Sequence, residues 1–146
     1  MTRTSRSSWE QSAPLAALLR WVAGMKLIFD SLDALLAEAK ERRVEAVRVA
    51  RAVHMETARP GAGVPHLTSR VIVTAALGER LWAEFRLWVG RAPAEVSERG
   101  LHLPEGLKKK SDAALADIAK RIDDAGLPIR EGLLAHEGSW VDSFRA

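Results

Sequence analysis

The groups that could run acid–base chemistry are few. There are four histidines, His54, His66, His102 and His136, and no cysteine, so a catalytic or metal site must draw on these imidazoles and the carboxylates. None of the histidines stands in an HxxxH or HExxH spacing, so no metal site is expected. One constellation is conditional on local structure. If residues 44–57 form a strand, His54 and Glu56 share a face, and with Glu84 and Arg86 they could make a nuclease-like or hydrolase acid–base site on a sheet. In a helix the same two residues, two positions apart, face differently. His54 is then a polar helix-end residue in the favourable field of the last carbonyls, and this plainer reading outweighs the catalytic one. Gly61-Ala62-Gly63 precedes no Gly-Lys-Ser/Thr, so it is no phosphate loop. The serines lack a nucleophile-elbow context. No catalytic residue and no cofactor is expected.

The strongest local pattern is Leu81–Val89. Leu81, Ala83, Phe85, Leu87 and Val89 alternate with Trp82, Glu84, Arg86 and Trp88, between Gly78 and Gly90. A period of two reads as a strand with one apolar face. The other face sets two tryptophans around an acid–base pair, a surface that has reason to meet a second layer or a partner. Leu67–Leu77 alternates as well. A three-residue connection, Gly78-Glu79-Arg80, places Leu77 opposite Leu81, Ala75 opposite Ala83, Val73 opposite Phe85 and Val71 opposite Leu87. All aliphatic residues then share a face, whereas a two-residue loop would set Val73 against Glu84. The far face pairs Ala76 with Trp82, Thr74 with Glu84, Ile72 with Arg86 and Arg70 with Trp88, where the cation can lie over the ring. Trp82, Glu84, Arg86, Trp88 and Arg70 are therefore the candidate interface, with Phe85 and Leu87 expected in the core.

These residues need elements to hold them. The chain has 146 residues, the size of one domain, with 47% hydrophobic and 28% charged residues, a globular balance. A net charge of +3 permits contact with nucleic acid without requiring it. No stretch is apolar and long enough to span a membrane, and the polar start, with Arg3 and Arg6, is unlike a secretory signal. Residues 1–11 read as a flexible tail, 12–126 as a single α+β domain and 127–146 as a C-terminal tail. Pro14 opens a short helix over 13–23, and Met25–Asp30 suits a short strand. Ser31 is a good N-cap for a helix over 31–57, rich in Ala, Leu, Glu, Lys and Arg and stopped by Ala58-Arg59-Pro60-Gly61. Val47, Val49, Val53 and Met55 also alternate, so a strand over 44–57 is the alternative. One continuous helix from residue 14 onward is another. Ser111 caps a final helix over 112–125, with Gly126 closing it. The expected architecture is a long helix packed on a small antiparallel sheet, the hairpin 67–90, with an additional C-terminal helix. Lys108, Lys109 and Lys110 form a candidate nucleic-acid contact. A solvated run before a helix is the reading that outweighs it, because Asp112, Asp117, Asp123 and Asp124 largely cancel the charge.

The element order carries a family resemblance. Leu32-Asp33-Ala34-Leu35-Leu36 is similar to the helix start, Pro60 and Leu67 to the helix-ending turn, and Ala92–Gly100 to the segment after the hairpin, in the tail-completion or head–tail joining (neck) proteins of long-tailed phages. The similarity covers roughly residues 25–125. The loop threonine and the later tyrosine of that pattern are missing, the loop differs in length, and residues 1–24 have no counterpart. The resemblance implies a non-enzymatic structural subunit, homo-oligomeric in a ring, with a hexamer as the expected size. Such a ring joins tail tube to head, binds other virion or assembly proteins and surrounds the DNA path, where non-specific DNA contact can occur. Its location would be the virion or the cytoplasm. The alternative is a small basic nucleic-acid-binding module, and the third reading is the sheet-face nuclease or hydrolase.

Overall fold

The computed structural model describes residues 25–56, 60–61 and 63–132. The expected tail 1–11, the expected helix 13–23 and the stretch from 133 onward, His136 included, lie outside the described residues. In chain order the elements are β1 (Met25–Ile28), α1 (Leu32–Glu41), β2 (Val47–Met55), β3 (His66–Gly78), β4 (Leu81–Pro93), β5 (Glu95–Ser97), β6 (Gly100–His102), α2 (Glu105–Asp124) and β7 (Ile129–Glu131). Five strands form one mixed sheet in the order β1-β4-β3-β2-β7, and β5 and β6 form a separate ribbon. β2, β3 and β4 are an antiparallel meander, while β1 joins β4 and β7 joins β2 in parallel.

This corrects the expected architecture. Of the described residues 46% are strand and 29% helix, and among them no long helix lies on a small hairpin. The helix expected over 31–57 lasts ten residues. Ser31 does cap it, its hydroxyl accepting the Ala34 N–H at 3.1 Å. The stop is Arg43, which takes a left-handed φ of 54° without the glycine or asparagine that usually advertises such a turn. Val47, Val49 and Val53 then run inward along β2, opposite Ala75, Val73 and Ser69. Pairing and burial of these β-branched residues outweigh the helix preference of the Ala, Arg and Glu around them.

The β3–β4 hairpin shows the expected pairs: Ala75 with Ala83, Val73 with Phe85, Val71 with Leu87, and on the far face Thr74 with Glu84 and Arg70 with Trp88. Its turn differs. Gly78 pairs with Leu81, so the loop is Glu79-Arg80, and an irregularity between Ala76 and Gly78 takes up Leu77. A bulge of this kind absorbs one extra residue without reversing the faces. The hairpin also extends beyond 67–90, to Pro93. At Gly90, inside β4, α2 packs closely on the strand: a Cβ there would lie 2.9 Å from Leu107 Cδ1.

Both helices cover the same side of the sheet. Leu32, Leu35, Leu36 and Ala39 of α1 and Ile118 and Ile122 of α2 bury against Val47, Val49, Val71, Val73, Ala75 and Ala83. Phe85 and Leu87 are only partly buried against this core. β1 reaches no further than Glu84, so among the described residues β4 is an edge from Phe85 onward. β7 corrects the expected tail at 127–146: Leu127 turns into the core, and Pro128 accepts the Val47 N–H at 2.8 Å, which delivers Ile129 to the edge of β2.

Ser111 does not cap a helix. α2 starts at Glu105 with Pro104 as its N-cap, and Ser111 lies buried in its second turn, 2.6 Å from the buried Ser69 hydroxyl of β3. The Ser111 hydroxyl donates to the Leu107 carbonyl at 2.8 Å, so its one proton is used and Ser69 must be the donor across the layers. The two serines are then unequal. Ser111→Ala strands a buried donor and should destabilise by about 1–3 kcal/mol, whereas Ser69→Ala removes that donor and should lose less, with the double variant close to Ser69→Ala. Urea denaturation of the three variants checks the order; equal losses for the two single changes would contradict the assignment.

Candidate functional site: a cationic sheet face

The side of the sheet opposite α1 and α2 is built by strand register. Lys26 pairs with Trp82 and Trp82 with Ala76. The next row runs across all five strands, Ile28–Glu84–Thr74–Arg48–Arg130. Arg86–Ile72–Ala50 and Trp88–Arg70–Ala52 follow, and Arg91–Thr68–His54 closes the face. No helix or strand among the described residues lies over it. Trp88 is 56% exposed, while Ile72 and Ala52, in the middle rows, are buried. Trp82 and Trp88 stand six residues apart on β4, roughly 20 Å at ~3.3 Å per residue.

Among the described residues the charge on this face is one-sided. Lys26, Arg48, Arg70, Arg86 and Arg130 stand in its first four rows against a single carboxylate, Glu84. Glu84 is 4% exposed. Lys26 Nζ lies 3.3 Å from one of its oxygens and Arg86 Nε donates to the other. A buried carboxylate needs such partners, and with two of them the group as a whole is cationic. The far side of the protein is balanced: α2 carries Lys108, Lys109, Lys110, Lys120 and Arg121 against Glu105, Asp112, Asp117, Asp123 and Asp124.

The candidate interface residues Trp82, Glu84, Arg86, Trp88 and Arg70 thus share one face. The candidate Lys108, Lys109 and Lys110 do not join them. They sit in the first two turns of α2, on the other side of the sheet, where Lys108 pairs with Asp112 at 3.3 Å and Lys109 with Glu105 at 4.0 Å.

The acid–base constellation does not assemble. Residues 47–55 do form a strand, the condition it needed. His54 lies in the last row and Glu84 in the second, opposite Thr68 and Thr74 of β3, a separation of roughly 20 Å. Glu56 is engaged elsewhere: both nitrogens of the Arg91 fork, Nε and Nη2, donate to its carboxylate. Those hydrogen bonds hold its pKa below the ordinary value, ahead of the opposing effect of desolvation. Among the described residues no group of three or more His, Asp or Glu side chains could hold a metal ion.

Two features escape sequence reasoning. Ser97 and His102 touch through Oγ and Nε2 across the β5–β6 turn, with Glu95 opposite His102. The Ser97 hydroxyl also accepts the Arg99 N–H at 3.1 Å, a turn-building role, and Glu95 and Ser97 are exposed, so the trio reads as a clasp on a surface ribbon. Gly100 makes that turn at a φ of 107°, and a lone glycine is the one sequence signal that could have marked it. The second is an apolar groove of about 700 Å³ between α2 and the β2–β7 edge, lined by Val49, Leu115, Ala119 and Ile129, with the Arg51–Asp112 ion pair of 3.0 Å at its rim. It depends on β7, which no strand-like run announces. Among the described residues no helix is long and apolar enough to cross a membrane.

The Glu56–Arg91 pair gives a pH prediction. The folded pKa of Glu56 lies below its unfolded value, so its contribution to stability is complete above the ordinary carboxylate range and is lost as pH falls through the depressed folded value. Glu56→Gln should be less stable than the parent near neutrality and should converge with it in acid. Melting temperatures measured from neutral pH downward check this; a constant gap at every pH would contradict it.

In comparison with known proteins, no family model, no curated protein and no solved structure matches the chain.

Proposed function

We propose that this chain is a non-catalytic binding module whose sheet face, on the side away from α1 and α2, takes single-stranded nucleic acid. The observation that carries the reading is the β4 row of Trp82, Arg86 and Trp88, flanked by Lys26, Arg70, Arg48 and Arg130 on the same face. Indole rings stack on unpaired bases while guanidinium and ammonium groups hold phosphates. A flat sheet suits a splayed single strand, because entry into a duplex groove needs a narrow helix or ribbon. The balanced charge of α2 supports placing the contact on the sheet.

Trp fluorescence titration with single-stranded oligonucleotides tests this. About four phosphate contacts would give a log–log salt slope near −3, at ~0.7 per phosphate for single strands. Trp88→Ala should weaken binding by roughly 1–3 kcal/mol, the worth of one stacked base. Replacing Lys108, Lys109 and Lys110 together with alanine should leave the affinity within about twofold. Absence of binding at low salt, or a larger loss from the lysine variant than from Trp88→Ala, would remove the reading.

A second reading is the assembly subunit implied by the phage resemblance. What favours it is the edge of β4. β1 pairs only with Leu81–Glu84, so among the described residues the outer edge from Phe85 to Val89 has no strand beside it, next to the exposed Trp88. A strand from another copy or another protein could extend the sheet there. The long helix that the resemblance used is replaced by β2, which weakens it. Light scattering after size exclusion separates the two readings. A ring of defined size supports the assembly subunit, and a strict monomer at high concentration counts against it.

A further inference from the structure

A tighter concentration of cations lies at one end of this face, where α1 hands the chain to β2. Arg42, Arg43, Arg48 and Arg130, with Glu45 as the one acid, line a cleft of about 350 Å³ beside the end of β3. Their existing partners do not account for them. Arg42 is held inside the fold, its Nε on the Glu38 carboxylate and its Nη1 on the Leu77 carbonyl at 3.3 Å, yet its buried Nη2 has no acceptor. Arg48 donates to the Glu131 carbonyl at 3.3 Å, a neutral acceptor. No carboxylate of the described residues pairs with Arg43, Arg48 or Arg130. Arg48 and Arg130 stand directly opposite each other in the β2–β7 register, an arrangement of like charges that is unfavourable unless something negative comes between them. The carbonyl end of α1 accounts for cations at Arg42 and Arg43, but not for two more arriving from β2 and β7.

We propose that this cleft binds a phosphate group. Arg43, Arg48 and Arg130 would grip its oxygens through charge-assisted hydrogen bonds, with Arg42 as the fixed wall; arginine forks match phosphate geometry in pairs. Arg48 and Arg130 also belong to the five-strand row of the sheet face, so the cleft is continuous with that surface. The occupant is then the terminal phosphate of a strand lying across the sheet. This choice of source rests on the nucleic-acid reading above, whereas the phosphate site itself does not.

Two measurements on the full chain keep these apart. In the first, inorganic phosphate and pyrophosphate are titrated at fixed ionic strength while melting temperature is followed. Both should raise it in the parent, and the rise should vanish in the Arg43→Ala/Arg130→Ala variant, whose changed side chains are exposed and outside the core. In the second, oligonucleotides of one sequence with and without a terminal phosphate are compared. The phosphorylated strand should bind at least about tenfold tighter, the equivalent of one hydrogen bond to a charged group, and the preference should disappear in the double variant. No thermal response to either anion in the folded parent overturns the site, even if oligonucleotides bind. A thermal response with no terminal-phosphate preference upholds the site and overturns the strand end as its source, leaving a small free phosphate compound. A response that survives in the double variant overturns the assignment to these arginines.

Discussion

Val49 faces Val73, and Val73 faces Phe85. That register across β2, β3 and β4 is the constraint on which everything else in the molecule depends. A slip of one residue in any of the three strands would turn its valines away from α1 and α2 and its cations into the core. Burying the aliphatic rows against two helices therefore fixes the opposite rows as well. Arg48, Thr74 and Glu84 form a line because Val47, Ala75 and Ala83 form one. The candidate site is the other side of the core, and the same register sets its rows.

Glu84 shows how the two sides cooperate. A carboxylate that is 4% exposed in the middle of a cationic surface draws Lys26 from β1 and Arg86 from its own strand onto its two oxygens. Desolvation makes that carboxylate demanding, and satisfying it holds two long, entropically mobile side chains in place. What remains outward is positive charge between two indoles. The helices, by contrast, carry their charges as neutralising pairs, among them Lys120 with Asp124 at 2.8 Å and Arg121 with Asp33 at 2.7 Å. Pairs this exposed contribute little to stability, but they neutralise one another on that side.

The sequence made some of this legible and concealed the rest for physical reasons. The β3–β4 pairing could be read because β-branched and aromatic residues alternate there over long runs, and only one register keeps them together. Its turn could not, because a bulge at Leu77 changes the loop length without changing the faces. β2 was ambiguous: Ala46, Ala50 and Ala52 sit comfortably in either state, and the left-handed Arg43 that starts it carries no turn residue. Ser111 looks like a cap because serine usually is one, and only the packed structure reveals Ser69 across the layers. β7 is three residues long and exists only because β2 offers an edge. The candidate interface on β4 came from period alone. The arginine cleft draws Arg42 and Arg43 from a helix end, Arg48 from β2 and Arg130 from β7, and no linear motif joins them.

The most direct measurement is an NMR titration of the isotope-labelled protein with a short single-stranded oligonucleotide, with the indole signals of Trp82 and Trp88 assigned through their phenylalanine variants. Binding on the sheet predicts that both indole N–H signals and the amides of β2, β3 and β4 move together and saturate at one oligonucleotide concentration, while the amides of Lys108–Lys110 in α2 stay in place. Shifts confined to α2, or two indole signals unmoved by saturating oligonucleotide, would contradict the sheet face as the binding surface.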